Sequence, residues 1–488
     1  MRTMSIALVA LLVLCVGCKV GPTYRVPAVM APPAFTEQPP QSSIGSKDWA
    51  AAAPEDAWAK GRWWEVFHDP ELNALEQQVD VNNQTLKSSV ARFRQARAFV
   101  RENRSSRFPT ISAGVTIARD RESLNQGVAP PANEAGYGNF DLGASASWEP
   151  DLWGRIRDLV ASSVQNAQAS AADLENARLS LHAELALDYF DLRSLDNERK
   201  ILEDSVVAYQ KALDLTQNRY NGGAVNRSEV EEARTQLEAT SAQAVDVTDL
   251  RTQDQDAIAV LTGQPPEGFS IAYKTGSLAP VVTPAGVPSA LLERRPDIAA
   301  AERRVASANS QVGLAHAAFY PQVLLSAAVG LEGTSITNWF NWPSRLWAVG
   351  PSAAQTLFDA GRRRAVLDQS TASYDALVAD YRENVLTAFR QVEDNLASLR
   401  ILEDEAARQQ RAVASARASE ELSLNRYKGG LVTYLEVVTV QSIRLQNERV
   451  AVDIDRRRME ASVLLIRALG GGWDANSLPQ PGAITSTK

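Results

Sequence analysis

Cysteine is almost absent from this sequence, because its 488 residues contain only Cys15 and Cys18, both close to the N-terminus. A disulfide framework and a cysteine-based metal site are therefore excluded from the body of the chain. The three histidines, His68, His182 and His316, lie in separate regions and lack the spacing of metal ligands. Walker A, GxSxG and HExxH motifs are also missing, which argues against an enzyme without excluding one.

Charge and hydrophobicity narrow the class of protein further. The net charge is −8 at pH 7, which argues against nucleic acid as a partner. Hydrophobic residues make up 45% of the chain and charged residues 22%. This composition fits neither a disordered chain nor a bundle of membrane-spanning helices, so we expect a folded body with a large core.

The N-terminus has the pattern of an export signal. Arg2 precedes an apolar run from Ile6 to Val16 that is too short to span a bilayer as a helix. Gly17-Cys18 follows, and a small residue before a cysteine resembles the bacterial lipobox, in which the cysteine becomes the lipidated first residue. We therefore expect a signal peptide over residues 1–17 and a covalent lipid on Cys18. The alternative is an ordinary secretory signal that is cut nearby.

Residues beside Cys18 indicate the destination of such a lipoprotein. Cys15 stands three positions earlier, where the lipobox prefers leucine, so the match is imperfect. Lys19 follows, and there is no aspartate at that position to mark retention in the inner membrane. The resemblance therefore implies a lipoprotein anchored in the outer membrane.

One phrase occurs twice in the chain. It reads NRYNGGAVNRSEV from Asn218 to Val230 and NRYKGGLVTYLEV from Asn425 to Val437, an offset of 425 − 218 = 207 residues. Each copy follows a long heptad pattern and precedes a second helical stretch. Paired glycines end helices, so each copy is predicted to form the tip of a long antiparallel helical hairpin.

Hydrophobic periodicity predicts the elements around these tips. In the first half, helices are predicted from about Pro70 to Ser105 and from Arg155 to Tyr220, with a return helix to about Leu261. In the second half, one helix is predicted to begin at Arg295-Pro296-Asp297. Another is predicted to begin at Gly361-Arg362, and a return helix after the second tip to end at about Leu469. Strands are predicted over Thr110–Ala118, Phe140–Trp148, Val323–Leu331 and Arg345–Leu357. The same order of elements occurs twice, which indicates a tandem duplication.

This order divides the chain into six segments. They are a signal peptide (1–17), an extended N-terminal lipoprotein segment (18–62), a first repeat (63–262), a linker or equatorial segment (263–290), a second repeat (291–473) and a polar C-terminal tail (474–488). Each repeat contains a helix, two strands and a long helical hairpin. The fold class is therefore mainly α with a smaller β part.

Each predicted strand has one apolar face and one face of small or polar residues, over a length that matches transmembrane β-strands. A sheet that spans lipid has to close, because its backbone groups find no other partners there. Four strands are too few for a closed barrel, so the sequence calls for an oligomer whose chains share one barrel. The alternative is a soluble sheet that is half covered by helices.

At this point the sequence resembles the outer membrane factors, the TolC-like outer-membrane channels of efflux systems, in their NodT-type lipoprotein branch. The resemblance covers nearly the whole mature chain and is specific through the order of its motifs. These motifs are Gly17-Cys18 with Val20-Gly21-Pro22, Trp63-Trp64 with Phe67 and Asp69-Pro70, Asp151-Leu152-Trp153-Gly154-Arg155, Arg294-Arg295-Pro296-Asp297-Ile298 with Glu302, both tip phrases, and Leu469-Gly470-Gly471-Gly472-Trp473.

The resemblance implies a homotrimer with a 12-stranded transmembrane β-barrel and a periplasmic α-helical barrel. It implies a passive duct in a tripartite efflux or export system, which receives substrates from a periplasmic adaptor protein and an inner-membrane pump. It implies no catalysis and no cofactor beyond the covalent lipid on Cys18, with outer-membrane lipid as a further contact. The main alternative is a structural coiled-coil lipoprotein that spaces layers of the envelope, which would leave the four strands unexplained.

The resemblance also assigns candidate site residues. A periplasmic gate is expected near Glu436, which matches a gate aspartate of some relatives, while Thr439 matches a second one and carries no charge. Glu229 is the equivalent of Glu436 in the first repeat. For both glutamates the alternative is a solvated helix face. Residues expected to contact the adaptor at the exposed tips are Arg219, Gly222, Gly223, Ala224, Val225, Arg426, Gly429, Gly430, Leu431 and Val432.

Overall fold

The computed structural model of this chain describes residues 19–37, 62–121, 136–281 and 291–485. The predicted signal peptide and Cys18 lie outside the described residues. So do parts of four other predicted segments: the N-terminal extension, the loop between the first two strands, the linker and the C-terminal tail.

Nine α-helices and four strands are present in the described ranges, with three short 3-10 helices. The helices are α1 (Pro70–Asn82), α2 (Gln84–Ser105), α3 (Arg155–Asn221), α4 (Arg227–Leu261), α5 (Leu291–Arg294), α6 (Pro296–Ala317), α7 (Arg362–Lys428), α8 (Tyr434–Ala468) and α9 (Pro481–Thr485). The strands are β1 (Thr110–Asp120), β2 (Tyr137–Trp148), β3 (Gln322–Gly333) and β4 (Arg345–Ala354). Within the described ranges, no helix is both long enough and apolar enough to cross a membrane.

The two predicted hairpins are confirmed as a duplication. Helices α3 and α7 have 67 residues each, and the return helices α4 and α8 have 35 each. The second hairpin begins 362 − 155 = 207 residues after the first, as the tip phrases predict. At about 1.5 Å per residue, each long helix extends for roughly 100 Å.

The single helix predicted from Pro70 to Ser105 is wrong. The chain instead forms α1 and α2, separated by Asn83, whose backbone is extended at ψ 126°. The buried Asn83 side chain accepts a hydrogen bond from the Leu86 amide at 2.9 Å and donates one to the Leu261 carbonyl at 2.9 Å. An asparagine that caps the next helix and also binds a distant carbonyl therefore outweighs the continuous helical pattern.

The strands form one antiparallel sheet in the order β1-β2-β3-β4, so β1 and β4 are the edges of the described sheet. The predicted alternation is confirmed by the register, which pairs Val115 with Leu142 and Val329 with Trp347 on one face. That apolar face is exposed in the single chain, with Trp347 76% exposed. The fourth strand ends at Ala354 rather than at the predicted Leu357.

The core lies among the helices, and α8 contributes to both of its main clusters. One cluster joins Trp63 and Trp64 to α1, α3 and α8. The other joins α6, α7 and α8. The described part of the N-terminal segment runs over this body, as predicted. Its Lys19 ammonium lies 2.7 Å from the buried Asp158 carboxylate, and the backbone amides of Thr36 and Glu37 donate to the Glu393 carboxylate.

Candidate functional site

Both hairpins turn by the same backbone geometry. The second glycine of each pair, Gly223 or Gly430, has a left-handed φ of 74°. The amide after it reaches back five residues, from Ala224 to the Arg219 carbonyl at 2.8 Å and from Leu431 to the Arg426 carbonyl at 3.0 Å. This bonding satisfies the last helical carbonyls. Only the second glycine of each pair therefore has a backbone conformation that favours glycine over other residues.

The side chains at the two tips are placed differently. Tyr427 in the second tip is 1% exposed, whereas its equivalent in the first tip, Tyr220, is 40% exposed. Tyr427 packs against the buried Tyr434, with ring centroids 5.4 Å apart. Residues of both hairpins surround the two rings and form what we call the tip cluster: Ala212, Ala233, Tyr427, Tyr434 and Val437. Burial raises the pKa of both tyrosines, so both hydroxyl groups stay neutral.

Arg219 joins the two hairpins. Its Nη1 donates a hydrogen bond to the Tyr427 carbonyl at 2.5 Å, and its guanidinium lies 4.4 Å from the centroid of the Tyr427 ring. The Thr216 hydroxyl, on the same helix as Arg219, lies 3.2 Å from the Tyr427 hydroxyl. One arginine of the first repeat thus holds the end of α7 through a hydrogen bond and a cation–π contact.

Arg426, the equivalent of Arg219, stays within its own hairpin. It forms an ion pair with Glu436 at 2.8 Å, and the two side chains are 55% and 38% exposed. The Ser423 hydroxyl also donates to Glu436, at 3.3 Å. Such an exposed pair contributes little to stability, so the two arginines are equivalent in sequence but not in structure.

The three predicted gate residues also differ in their contacts. Glu229 accepts hydrogen bonds across the hairpins, from the Tyr427 hydroxyl at 3.4 Å and from the Tyr434 amide at 3.3 Å. Glu436 is paired with Arg426. Thr439 is exposed, and its hydroxyl donates to the Leu435 carbonyl at 2.8 Å. Glu229 and Glu436 are therefore not interchangeable, and the gate role of all three residues stays a prediction.

Sequence reasoning missed two features of this site. Glu232 lies at 439 − 207, the position equivalent to Thr439, and applying the repeat offset backwards would have found this acid. Its Oε2 atom is buried without a hydrogen bond to any described residue. The tyrosines of the tip cluster were also missed, since Tyr220 and Tyr427 occupy the same place in the repeated phrase and only the fold separates them.

The tip surface is largely exposed, as expected, with three exceptions, of which the half-buried Arg219 is one. Exposed residues are Gly222, Gly223, Ala224, Arg426, Gly429, Gly430 and Leu431. Leu431 is the most prominent, at 75% exposed. Val225 and Val432 are half-buried, since Val432 packs against the tip cluster.

Farther from the tip, the second hairpin contains an ionic layer in which Glu448 is buried, Glu420 and Arg444 are half-buried and Arg417 is exposed. Arg444 lies 2.5 Å from both Glu420 and Glu448, and Arg417 lies 2.6 Å from Glu448. Burial raises the pKa of Glu420. The equivalents of Glu420 and Arg444 in the first repeat, 207 residues earlier, are Leu213 and Leu237, which pack in an apolar cluster.

The chain is similar to known channel proteins over nearly its whole length. The sequence profile of the outer membrane efflux protein family matches residues 75–264 and 287–471. The pyoverdine export outer membrane protein OpmQ of Pseudomonas aeruginosa is 32% identical, over 88% of this chain and 91% of its own. The toluene efflux pump outer membrane protein TtgF of Pseudomonas putida is 30% identical, over 97% and 98%. The structure of the outer-membrane channel OprN superposes with a TM-score of 0.83 at 30% identity, covering 93% of this chain and all of that one.

Proposed function

This chain belongs to the outer membrane efflux protein family and is the outer-membrane channel of an efflux system; on that premise, we propose that three copies close a single barrel. The observation that supports this most strongly is the open four-stranded sheet, which exposes an apolar face and two strand edges. Three chains of four strands would give twelve, enough for a closed barrel with its apolar face in lipid. The long hairpins would continue the duct into the periplasm.

The proposed duct is passive and unselective, and we assign it no catalytic role. The opposite face of the sheet pairs small and polar residues, such as Ser112 with Ser145 and Gly143 with Gly330, which suits a wet lumen. Related proteins are named for cargoes as different as pyoverdine and toluene. Selection by an inner-membrane pump, rather than by the duct, accounts for that range.

The hairpin tips are the proposed meeting point with a periplasmic adaptor protein. Leu431 is 75% exposed between glycines and a half-buried valine, and an exposed apolar side chain at the end of a long projection fits a partner surface. The ten tip residues from Arg219 to Val225 and from Arg426 to Val432 named above would form this contact.

The tips are also the proposed closed end of the duct. Arg219 and Glu229 both bind the second hairpin, through Tyr427 and the Tyr434 amide, and these contacts resist separation of the hairpins. Glu229 and Glu436 from three chains would place six carboxylates near one axis, favouring cations there. Opening then requires the cross-hairpin contacts to break, whereas the Arg426–Glu436 pair can move with its own hairpin.

The lipid anchor is proposed on Cys18. Lys19, the next residue, is held by the buried Asp158, and the Val20 amide donates to the Trp153 carbonyl at 3.4 Å. The start of the mature chain is thereby fixed beside the junction of strands and helices. An acyl chain attached there would enter the periplasmic leaflet of the outer membrane.

The test combines three readings of one detergent-extracted sample. We expect the mass of a trimer, an acylated Cys18, and ion conductance when the protein is added to a planar bilayer. A water-soluble monomer without conductance would instead support the alternative of a coiled-coil lipoprotein that spaces envelope layers.

A further inference from the structure

One contact between the two repeats lies inside the chain, where α6 packs against α3. Arg304 on α6 forms an ion pair with Asp173 on α3 at 2.5 Å. Nearby, the hydroxyl groups of Ser162 and Ser307 lie 2.9 Å apart. These contacts fix the register of the two helices.

Both helices of this contact have an equivalent in the other repeat. Helices α2 and α6 have 22 residues each and end 317 − 105 = 212 residues apart, and each precedes an aromatic-proline pair, Phe108-Pro109 or Tyr320-Pro321. Helices α3 and α7 are 207 residues apart. The α3–α6 contact therefore has a possible counterpart between α7 and α2.

Within one chain, this counterpart contact between α7 and α2 is not formed. Helix α3 packs against both α2 and α6, whereas α7 packs against α6, and no described residue of α7 before Tyr381 is fully buried. Likewise α6 is covered by α3 and α7, whereas the outer face of α2 is exposed. Each repeat thus presents one helix face whose equivalent in the other repeat is buried.

The residues on these open faces repeat the internal ion pair. Arg92 lies at 304 − 212 and Asp380 at 173 + 207, so arginine and aspartate recur at both positions. Both side chains are exposed, and neither forms a hydrogen bond or ion pair with a described residue. Charge supports the match, because α2 carries six lysines and arginines against one glutamate, Glu102.

Building on the trimer proposed above, we infer that α7 of one copy docks on α2 of a second copy in the register of the internal α3–α6 contact, with Asp380 of one copy paired to Arg92 of the next. Docking the two copies in this way also places the β4 edge of the first copy beside the β1 edge of the second copy. Gln95 at 307 − 212 and Gln369 at 162 + 207 then face each other in place of Ser307 and Ser162.

Cysteine crosslinking tests this register, because the body of the chain contains no cysteine. The variant with Gln95→Cys and Gln369→Cys should form disulfide-linked dimers and trimers under mild oxidation, since the matching serine oxygens lie 2.9 Å apart. Each single variant should stay uncrosslinked. Ser162→Cys with Ser307→Cys should form a disulfide within one chain, and Arg94→Cys with Gln369→Cys, off the proposed face, should form none.

Charge reversal provides an independent reading. Arg92→Asp and Asp380→Arg should each lower the temperature at which the trimer dissociates in SDS, and the double variant should recover it. A trimeric wild type that gives neither crosslinks nor recovery would overturn the docking register while leaving the channel intact. A wild type that is monomeric in detergent would overturn the proposed trimer itself.

Discussion

The two hairpins of this chain have the same length and the same turns but different interiors. Where the first hairpin packs Leu213 and Leu237, the second pairs the half-buried Glu420 with Arg444. Where the first tip exposes Tyr220, the second buries Tyr427 beneath Arg219. Helix length and turn geometry therefore set the shape of a hairpin, while each interior layer can be apolar or ionic.

The two hairpins therefore share a fold but differ in the contacts that join them at the tips. A duplicated hairpin with identical layers would give six equivalent units in a trimer. Because the layers differ, the side chains that join the two hairpins come from the first one. Arg219 and Glu229 of the first repeat bind backbone groups of the second repeat. If the tips are the closed end of the duct, as proposed above, opening would then begin at this interface between the hairpins.

The largest expected effect comes from breaking the ionic layer. Arg444→Ala removes the ion-pair partner of the half-buried Glu420 and one of the two partners of the buried Glu448, and it should destabilise the second hairpin by about 3–5 kcal/mol. Replacing Glu420 and Arg444 together by leucine copies the first repeat and should be close to neutral. Hydrogen exchange of α8 amides measures both changes. A double variant that is as unstable as Arg444→Ala would show that the layers are not exchangeable.

The next effect concerns the tip tyrosines. Tyr427→Ala removes a buried ring and should cost about 3 kcal/mol of local stability, seen as faster proteolysis and hydrogen exchange at both tips. Tyr220→Ala, at the equivalent but exposed position, is the matched control and should change stability by about 0.5 kcal/mol or less. Equal effects of the two variants would remove the distinction between the tips.

A buried pair in the first repeat, His182 and Glu76, should make stability depend on pH. Burial lowers the pKa of His182, but hydrogen bonds to Asp80 and Glu76 more than offset this and raise it. Burial also raises the pKa of Glu76 to about 7. The proton bound by Glu76 stabilises the fold at low pH, and this stability is lost as pH rises from about 4.5 through 7. The contribution of the proton on His182 is lost only above the ordinary histidine pKa of 6.5.

The equivalent of His182 in the second repeat, at 182 + 207, is the buried Phe389. We expect the melting temperature to fall by several degrees between pH 5 and pH 8. The variant with His182→Phe and Glu76→Leu should show a smaller fall, by circular dichroism. An unchanged pH profile in that variant would assign the effect to other groups.

The smallest expected effect lies at the turns. Gly430→Ala, like Gly223→Ala, places a side chain at a φ of 74° and should cost about 1–2 kcal/mol. Gly429→Ala serves as control, since Gly429 has an ordinary φ of −76° and an added Cβ would meet its nearest neighbour at an ordinary contact distance of 3.5 Å. Export by cells that carry each variant measures the consequence. Comparable losses for both alanines would mean that backbone conformation is not what the tip requires.

Most of the fold could be predicted from the sequence, because its signals are periodic. The 207-residue offset, the heptads and the alternating strands predict both hairpins and the sheet. The break at Asn83 could not be predicted, because it depends on a hydrogen bond to Leu261, which is distant in sequence. The end of β4 was missed for a similar reason, since strand pairing and not composition ends it at Ala354.

The candidate site could be predicted only in outline. Glycine pairs indicate where the tips lie, and the repeat indicates which residues correspond. The partner of each side chain depends on how the hairpins pack together. Arg219 and Arg426 are therefore equivalent in the repeated phrase, although Arg219 contacts the other hairpin and Arg426 contacts its own. A residue's contacts across a packed interface are not encoded in its local pattern.

The most direct test of the asymmetric tip is single-channel conductance of the purified protein in planar bilayers. Wild type should conduct weakly, Arg219→Ala should conduct several-fold more because the hairpins lose a cross-contact, and Arg426→Ala should stay near wild type. Equal conductance in all three, or a larger increase for Arg426→Ala, would contradict a closed end held by Arg219.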